Sequence, residues 1–262
     1  MPGSVSSSRF AALARSSPWR WRTLRFTARW RRPERTDPAV RAWIRRPDGL
    51  RVERLDGTLL SAEVLKRPWG TMTTVTADGI RIEQEQFGPL DPRAEQPRLD
   101  ADGLVVRRPA EGPLRYDDPM YVDYHWVAML DPVELADAER GFGDPTPDSV
   151  EITDVSEVSH HGRRAWQATL RPTPAYDPRC SCCPLLFSQA SEDWEAEAGG
   201  PTVRDRQPDL RYADAHLVRL DVATGVCVYT EELGGSRAGS GHDVAIEAVD
   251  KFMSDELLAA RN

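Results

Sequence analysis

Residues 40–64 read VRAWIRRPDGLRVERLDGTLLSAEV, three strand-like runs parted by Asp48-Gly49 and Asp56-Gly57. In the first run Val40, Ala42 and Ile44 alternate with Arg41, Trp43 and Arg45, the period of two that a half-buried strand imposes. Asp-Gly suits a tight hairpin because glycine lacks a Cβ and aspartate tolerates positive φ. The same pair recurs at Asp78-Gly79 and Asp102-Gly103, beside strand-like runs at 71–76 and 80–85. Short turns join antiparallel neighbours, since parallel strands need long crossovers, so the stretch predicts an up-and-down meander.

Working outward, Leu24, Phe26, Ala28 and Trp30 alternate with Arg25, Thr27, Arg29 and Arg31, another strand with an arginine outer face. Upstream, 6–16 forms a short amphipathic helix with Phe10, Leu13 and Ala14 on one side, ended by Pro18. Downstream, 118–141 reads as a helical insertion: Asp118-Pro119 and Asp131-Pro132 each pair a cap with a first-turn proline, and Glu134 strengthens the second start. Strands return at 150–158, 164–170, 216–220, 226–230 and 244–249, with a turn at His160-His161-Gly162 and another at Thr224-Gly225. A short helix at 254–260 closes the chain. The fold class is therefore mainly β (a β-rich α+β fold), one curved antiparallel meander sheet or half-barrel. Residues 1–18 supply an N-terminal helix and 19–262 a single domain, interrupted by the insertion at 118–141 and a long loop at 172–211. Loops of that length inside compact domains tend to be functional or disordered.

Bulk composition limits the classes available. The chain has 262 residues, 40% hydrophobic, with eight tryptophans, enough apolar material for a packed core. No apolar run approaches the roughly 20 residues of a membrane helix, so no transmembrane segment is expected. The apolar piece at 10–14 is shorter than the roughly 7–15 residues of a signal-peptide core, so the expected location is cytoplasmic. Arginine supplies nearly all the positive charge, the coding bias of a GC-rich bacterium, and the net charge of −8 conceals +10 over residues 1–54. Basic strands neutralised by acidic neighbours account for that asymmetry, the alternative being a basic face that meets an anionic partner. The Trp19-Arg20-Trp21-Arg22 run reads as a strand with one wet face, and no nucleic-acid partner is expected.

The order of these elements resembles the LolA-like superfamily of lipoprotein carriers and the related regulator RseB. The resemblance rests on residues 21–30, on Trp43-Ile-Arg-Arg-Pro-Asp-Gly-Leu-Arg-Val-Glu, on Leu130-Asp-Pro-Val-Glu-Leu, and on Leu220-Asp-Val-Ala-Thr-Gly-Val. It implies an incomplete barrel whose concave face, lined by aromatics and covered by helices, holds acyl chains or an extended peptide. Leu24, Phe26, Trp30, Trp126 and Trp166 are the candidate lining residues. The implied partner is a hydrophobic small molecule or lipid, or a protein segment, and the implied function is binding, not catalysis. Unlike the carriers, the chain is expected to have no export signal and no lipobox cysteine.

A different chemistry is written at Arg179-Cys180-Ser181-Cys182-Cys183-Pro184, inside the long loop. Where thiols stay reduced, clustered cysteines favour metal binding or redox work. Thiolates suit Zn²⁺, Cu(I) or iron–sulfur iron, and Cys227, His160 or His161 could complete a tetrahedral set. Zinc is thus a possible cofactor of Cys180, Cys182, Cys183 and Cys227, although adjacent cysteines are expected to point apart. This gives the alternative function, a thiol-based metal or redox sensor. Motifs for zinc proteases, serine hydrolases and phosphate-binding loops are absent. The carboxylate pairs Asp117-Asp118 and Glu231-Glu232 and the His160-His161 pair read as solvated, and His125 lacks a partner in sequence, so no catalytic residue is assigned.

Overall fold

The structure is a computed structural model that describes residues 5–65, 70–73, 84–87, 91, 93–109, 117–138 and 148–259. In chain order the elements are α1 (Ser7–Arg20), β1 (Thr23–Arg32), β2 (Arg35–Thr36), β3 (Val40–Arg45), β4 (Gly49–Arg54), β5 (Leu59–Val64), β6 (Gly70–Thr73) and β7 (Gln84–Phe87). Then follow β8 (Arg98–Leu99), β9 (Val105–Arg107), α2 (Tyr124–Leu130), a 3-10 turn (Val133–Leu135), β10 (Val150–His160) and β11 (Arg163–Pro172). The chain closes with α3 (Gln189–Glu197), α4 (Val203–Arg206), β12 (Ala215–Asp221), β13 (Cys227–Leu233), β14 (Gly241–Val249) and α5 (Asp255–Leu258).

One ten-stranded antiparallel sheet dominates, in the order β10-β11-β12-β13-β14-β1-β3-β4-β5, with β2 paired to β1. It is not closed, and the fold is mainly β. The sheet joins two meanders through β1 and β14, where Phe26 lies opposite Ile246 and Ala28 opposite Val244. Inward positions are those the alternation marks: Leu24, Phe26, Ala28, Ala42 and Ile44 are all solvent-free. The sheet also curls, since His160 Nε2 at the end of β10 donates to the Val244 carbonyl of β14 at 3.1 Å, although three strands separate them in the sheet.

Helices α1 and α2 cover the buried face, and Phe10, Leu13, Trp126, Met129 and Leu130 share one core cluster with the strands. α1 is longer than the sequence predicts, with Pro18 inside its last turn. Tertiary bonds hold that turn: Arg46 donates to the Ser17 carbonyl at 2.7 Å, and Arg20 to the Val222 and Ala223 carbonyls. The α1 backbone rests on the β12–β13 turn, where Gly225 has φ +74 and a Cβ would meet the Leu13 carbonyl oxygen at 2.8 Å. Only glycine fits that contact and that dihedral.

Several expectations are corrected. The first helix of the insertion does not start at Asp118. Asp118 pairs with Arg46 at 2.6 Å, both side chains buried, and the Arg46 guanidinium lies 3.4 Å from the Trp21 ring centre. With Asp118 so engaged, Asp123 caps α2 instead, and Asp131-Pro132 leads into the 3-10 turn. Trp19 and Arg20 belong to α1, not to a strand. Asp48-Gly49 is not the hairpin tip: residues 46–48 turn the chain, and Gly49 already pairs with Arg45. Gly57 and Gly103 do take positive φ at their turns. β6–β7 and β8–β9 form separate two-stranded ribbons outside the main sheet. The Asp78-Gly79 turn and residues 139–141 of the insertion lie outside the described residues. The loop 172–211 is not structureless, because it carries α3 and α4, each begun by a capping box. On the outer face Arg25 and Arg41 share Glu247, so the basic strand face is neutralised locally.

Candidate functional site

The thiol segment is shaped by a β-turn, in which the Cys183 N–H donates to the Cys180 carbonyl at 3.3 Å. The turn brings Cys180 Sγ within 2.9 Å of Cys182 Sγ, with Cys182 and Cys183 Sγ 3.7 Å apart. All three sulfurs lie within 4.8 Å of one another. Adjacent cysteines therefore do converge here, against the expectation that they point apart, because the turn rotates the peptide between them. Cys182 is exposed and the other two half-buried. The Cys180 contact followed by burial pushes the Cys182 thiol up, and burial followed by the Cys180 contact does so more strongly for Cys183.

Three anchors hold this turn. The first is Glu134 in the 3-10 turn, whose buried carboxylate accepts from Tyr176 Oη at 2.5 Å, from Arg179 N at 2.9 Å and from Leu185 N at 2.9 Å. One carboxylate thereby ties together both stems of the loop. The second is Arg179, which reaches Asp117 at 2.5 Å and Asp131 at 2.8 Å. Burial opposes ionisation of Asp131, but the guanidiniums of Arg108 and Arg179 outweigh it and hold its pKa below the usual carboxylate range. The third is His125 of α2, whose Nδ1 donates to the Pro184 carbonyl at 3.0 Å. Its Nε2 faces Nδ1 of the solvent-free His242 at 3.0 Å, and His242 Nε2 donates to the Cys227 carbonyl at 2.9 Å. Sequence reasoning left His125 without a partner, and folding supplies the Pro184 carbonyl as one.

Cys227 does not join the other thiols. It is fully buried in β13, and its Sγ lies 3.7 Å from the Tyr229 carbonyl. His160 and His161 are elsewhere too, gathered around Asp243 at 3.3 and 2.7 Å. His160 is buried, not solvated, and its Nδ1 accepts from Arg219 at 3.2 Å, which leaves Nε2 as the protonated nitrogen. A guanidinium so close makes that second group a hydrogen-bonded latch and a poor cation site. Among the described residues no His, Cys, Asp or Glu completes a fourth ligand position around Cys180, Cys182 and Cys183.

Cys182 and Cys183 open on a cleft of about 570 Å³. Trp30, His125, Cys182, Cys183 and Phe187 line it, with the buried His216 and Glu232 as its floor. Of the five residues expected to line a ligand cavity, Trp30 alone reaches this cleft. Leu24, Phe26 and Trp126 are solvent-free and Trp166 is 5% exposed. Trp126 packs 5.2 Å from Phe26, 6.1 Å from Trp30 and 5.4 Å from Tyr121, so α2 plugs the aromatic face with the chain's own side chains.

Sequence reading missed His216, Glu232, His242 and Glu134. The first three had a signal: each falls on the inward period of its strand, with Val218 and Leu220, with Val228 and Thr230, and with Val244 and Ile246. A polar residue in an apolar period marks a site or a buried network. Glu232 is 8% exposed, and burial raises its pKa to about 7.

No family model matches this chain, and no curated protein matches its sequence.

Proposed function

We propose that this chain is a soft-metal-binding protein that holds one Cu(I) ion on Cys180, Cys182 and Cys183. The observation that carries the reading is the convergence of three sulfurs within 4.8 Å on one anchored turn. Thiolates select soft cations, and Cu(I) is satisfied by two or three of them. Structural zinc takes four ligands, and the described residues offer three here, which favours Cu(I) over the zinc that the sequence suggests. The exposed Cys182 leaves one side open to the cleft, where a donor or a partner thiol can reach the ion. Such chemistry needs a compartment that keeps thiols reduced, in keeping with a cytoplasmic setting. The carrier reading is weaker, because the aromatic face that would receive an acyl chain is filled by Trp126 and its neighbours. Anaerobic titration against a chromophoric Cu(I) chelator tests the proposal. One equivalent is expected to move from chelator to protein, and none to the Cys182→Ser/Cys183→Ser variant; equal uptake by both proteins overturns it.

A further inference from the structure

The cleft holds a second set of groups that the copper reading does not use. His216 on β12 and Glu232 on β13 are opposite in register, so their side chains leave the sheet side by side on its inward face. His216 is 2% exposed, and its Nε2 has no hydrogen-bond partner. Burial lowers its pKa to about 4, so the ring is neutral near pH 7; the Phe187 backbone supports the ring and makes the smaller, opposing contribution. Nε2 is then a bare lone pair, and an unsatisfied buried acceptor needs an explanation. Glu232 beside it makes no hydrogen bond with its side chain among the described residues. Two neighbouring acceptors at the floor of a cleft call for a ligand that brings several donors to one point.

The rim has the opposite character. Arg206 is exposed and Arg237 half-buried, and Arg237 lies 4.0 Å over the Phe187 ring. Most other charges lining the cleft are engaged: Glu192 accepts from Val203 N and Arg204 N, Glu195 from Ser181 Oγ, and Arg31 donates to Tyr229 and the Thr230 carbonyl. What remains is an acceptor pair below and guanidiniums above. A volume of about 570 Å³ lies within the range of small-molecule sites.

We infer that the cleft binds a small zwitterion of the α-amino acid or short-peptide class, its ammonium on Glu232 and His216 and its carboxylate on Arg237 and Arg206. An ammonium presents three N–H donors to the two acceptors, and Trp30 and Phe187 offer apolar walls for a side chain. A divalent cation is the poorer occupant, since Arg237 faces Glu232 and the floor supplies two ligands. The inference does not depend on copper, because none of the four polar groups is a thiol.

The test is calorimetry on the metal-free full chain with a panel of L-α-amino acids and dipeptides, then with the N-acetyl and methyl-ester derivatives of the tightest member. Expected are one site per chain, loss of binding on N-acetylation, and weakening of about tenfold (1.4 kcal/mol) on esterification. Glu232→Gln should weaken binding by at least about tenfold, as for a lost charge-assisted bond. Arg237→Gln, with the parent fold checked by circular dichroism, should reproduce the effect of esterification. Overturning results are no binding by any panel member at about 10 mM, a weakness beyond the millimolar range of small-ligand recognition, N-acetyl derivatives that bind as well as the parent, or stoichiometric zinc lost in His216→Ala.

Discussion

Replacing Glu134 by glutamine removes one charge and changes almost no volume, yet it should unsettle the thiol turn more than any surface substitution. In the native loop Oε1 accepts from Tyr176 Oη and Leu185 N, and Oε2 from Arg179 N. An amide keeps one acceptor oxygen; its NH₂ then faces the Arg179 N–H, so two donors oppose each other in a buried site. A buried donor left unpaired costs about 1–3 kcal/mol, and the retained bonds weaken with loss of the charge. The sum is about 3 kcal/mol, a fall in Tm of about 6–12 °C for a domain of this size. Thermal unfolding by circular dichroism measures it, and the rate of thiol modification reads the loop itself. Faster modification and about tenfold weaker Cu(I) binding are expected, because ordering the turn must now be supplied by the metal. A Tm within about 1 °C of the parent, with unchanged thiol kinetics, would refute the view that Glu134 pre-forms the site.

Other substitutions probe the scaffold and the cleft. Asp118→Asn strands Arg46 in a buried site and should cost about 3–5 kcal/mol, read by urea unfolding. Gly225→Ala forces a Cβ against the Leu13 carbonyl at positive φ, and chevron or equilibrium data should show a loss of at least about 2 kcal/mol. Trp126→Ala opens the aromatic plug and should destabilise by about 3–5 kcal/mol. Glu232 makes a pH prediction with a definite sign. Its folded pKa, about 7, lies above the ordinary 4.5, so the folded state binds its proton more tightly and stability falls as pH rises from 4.5 through 7. Glu232→Gln cannot ionise; it should match the parent near pH 4.5 and exceed it by about 3 kcal/mol at pH 8, while contributions from the buried histidines cancel in the difference. A stability difference independent of pH contradicts the burial argument.

Legibility in the sequence followed the range of the physics. Alternation in 24–31, 40–45 and 216–220 is a local consequence of the pleat, and those strands appear where the pattern puts them. Pairing of β1 with β14 joins residues more than two hundred apart, and no local signal specifies it. Asp118 and Asp131 both precede proline and look alike as helix caps, but a buried guanidinium claims the first and leaves the start of α2 to Asp123. Glu134 fits a capping box by spacing; the short 3-10 turn instead aims it inward at Tyr176. The cysteines were visible as a cluster, whereas their convergence depends on the Cys183-to-Cys180 bond and on Glu134 and His125, which lie far upstream of the thiols in the chain.

The most direct test of a three-thiolate centre is X-ray absorption at the copper edge on the anaerobically loaded protein. The account predicts Cu(I) at one equivalent per chain with a first shell of three sulfurs and no histidine scattering. A shell dominated by nitrogen or oxygen, or an identical spectrum from the Cys182→Ser/Cys183→Ser variant, would contradict it.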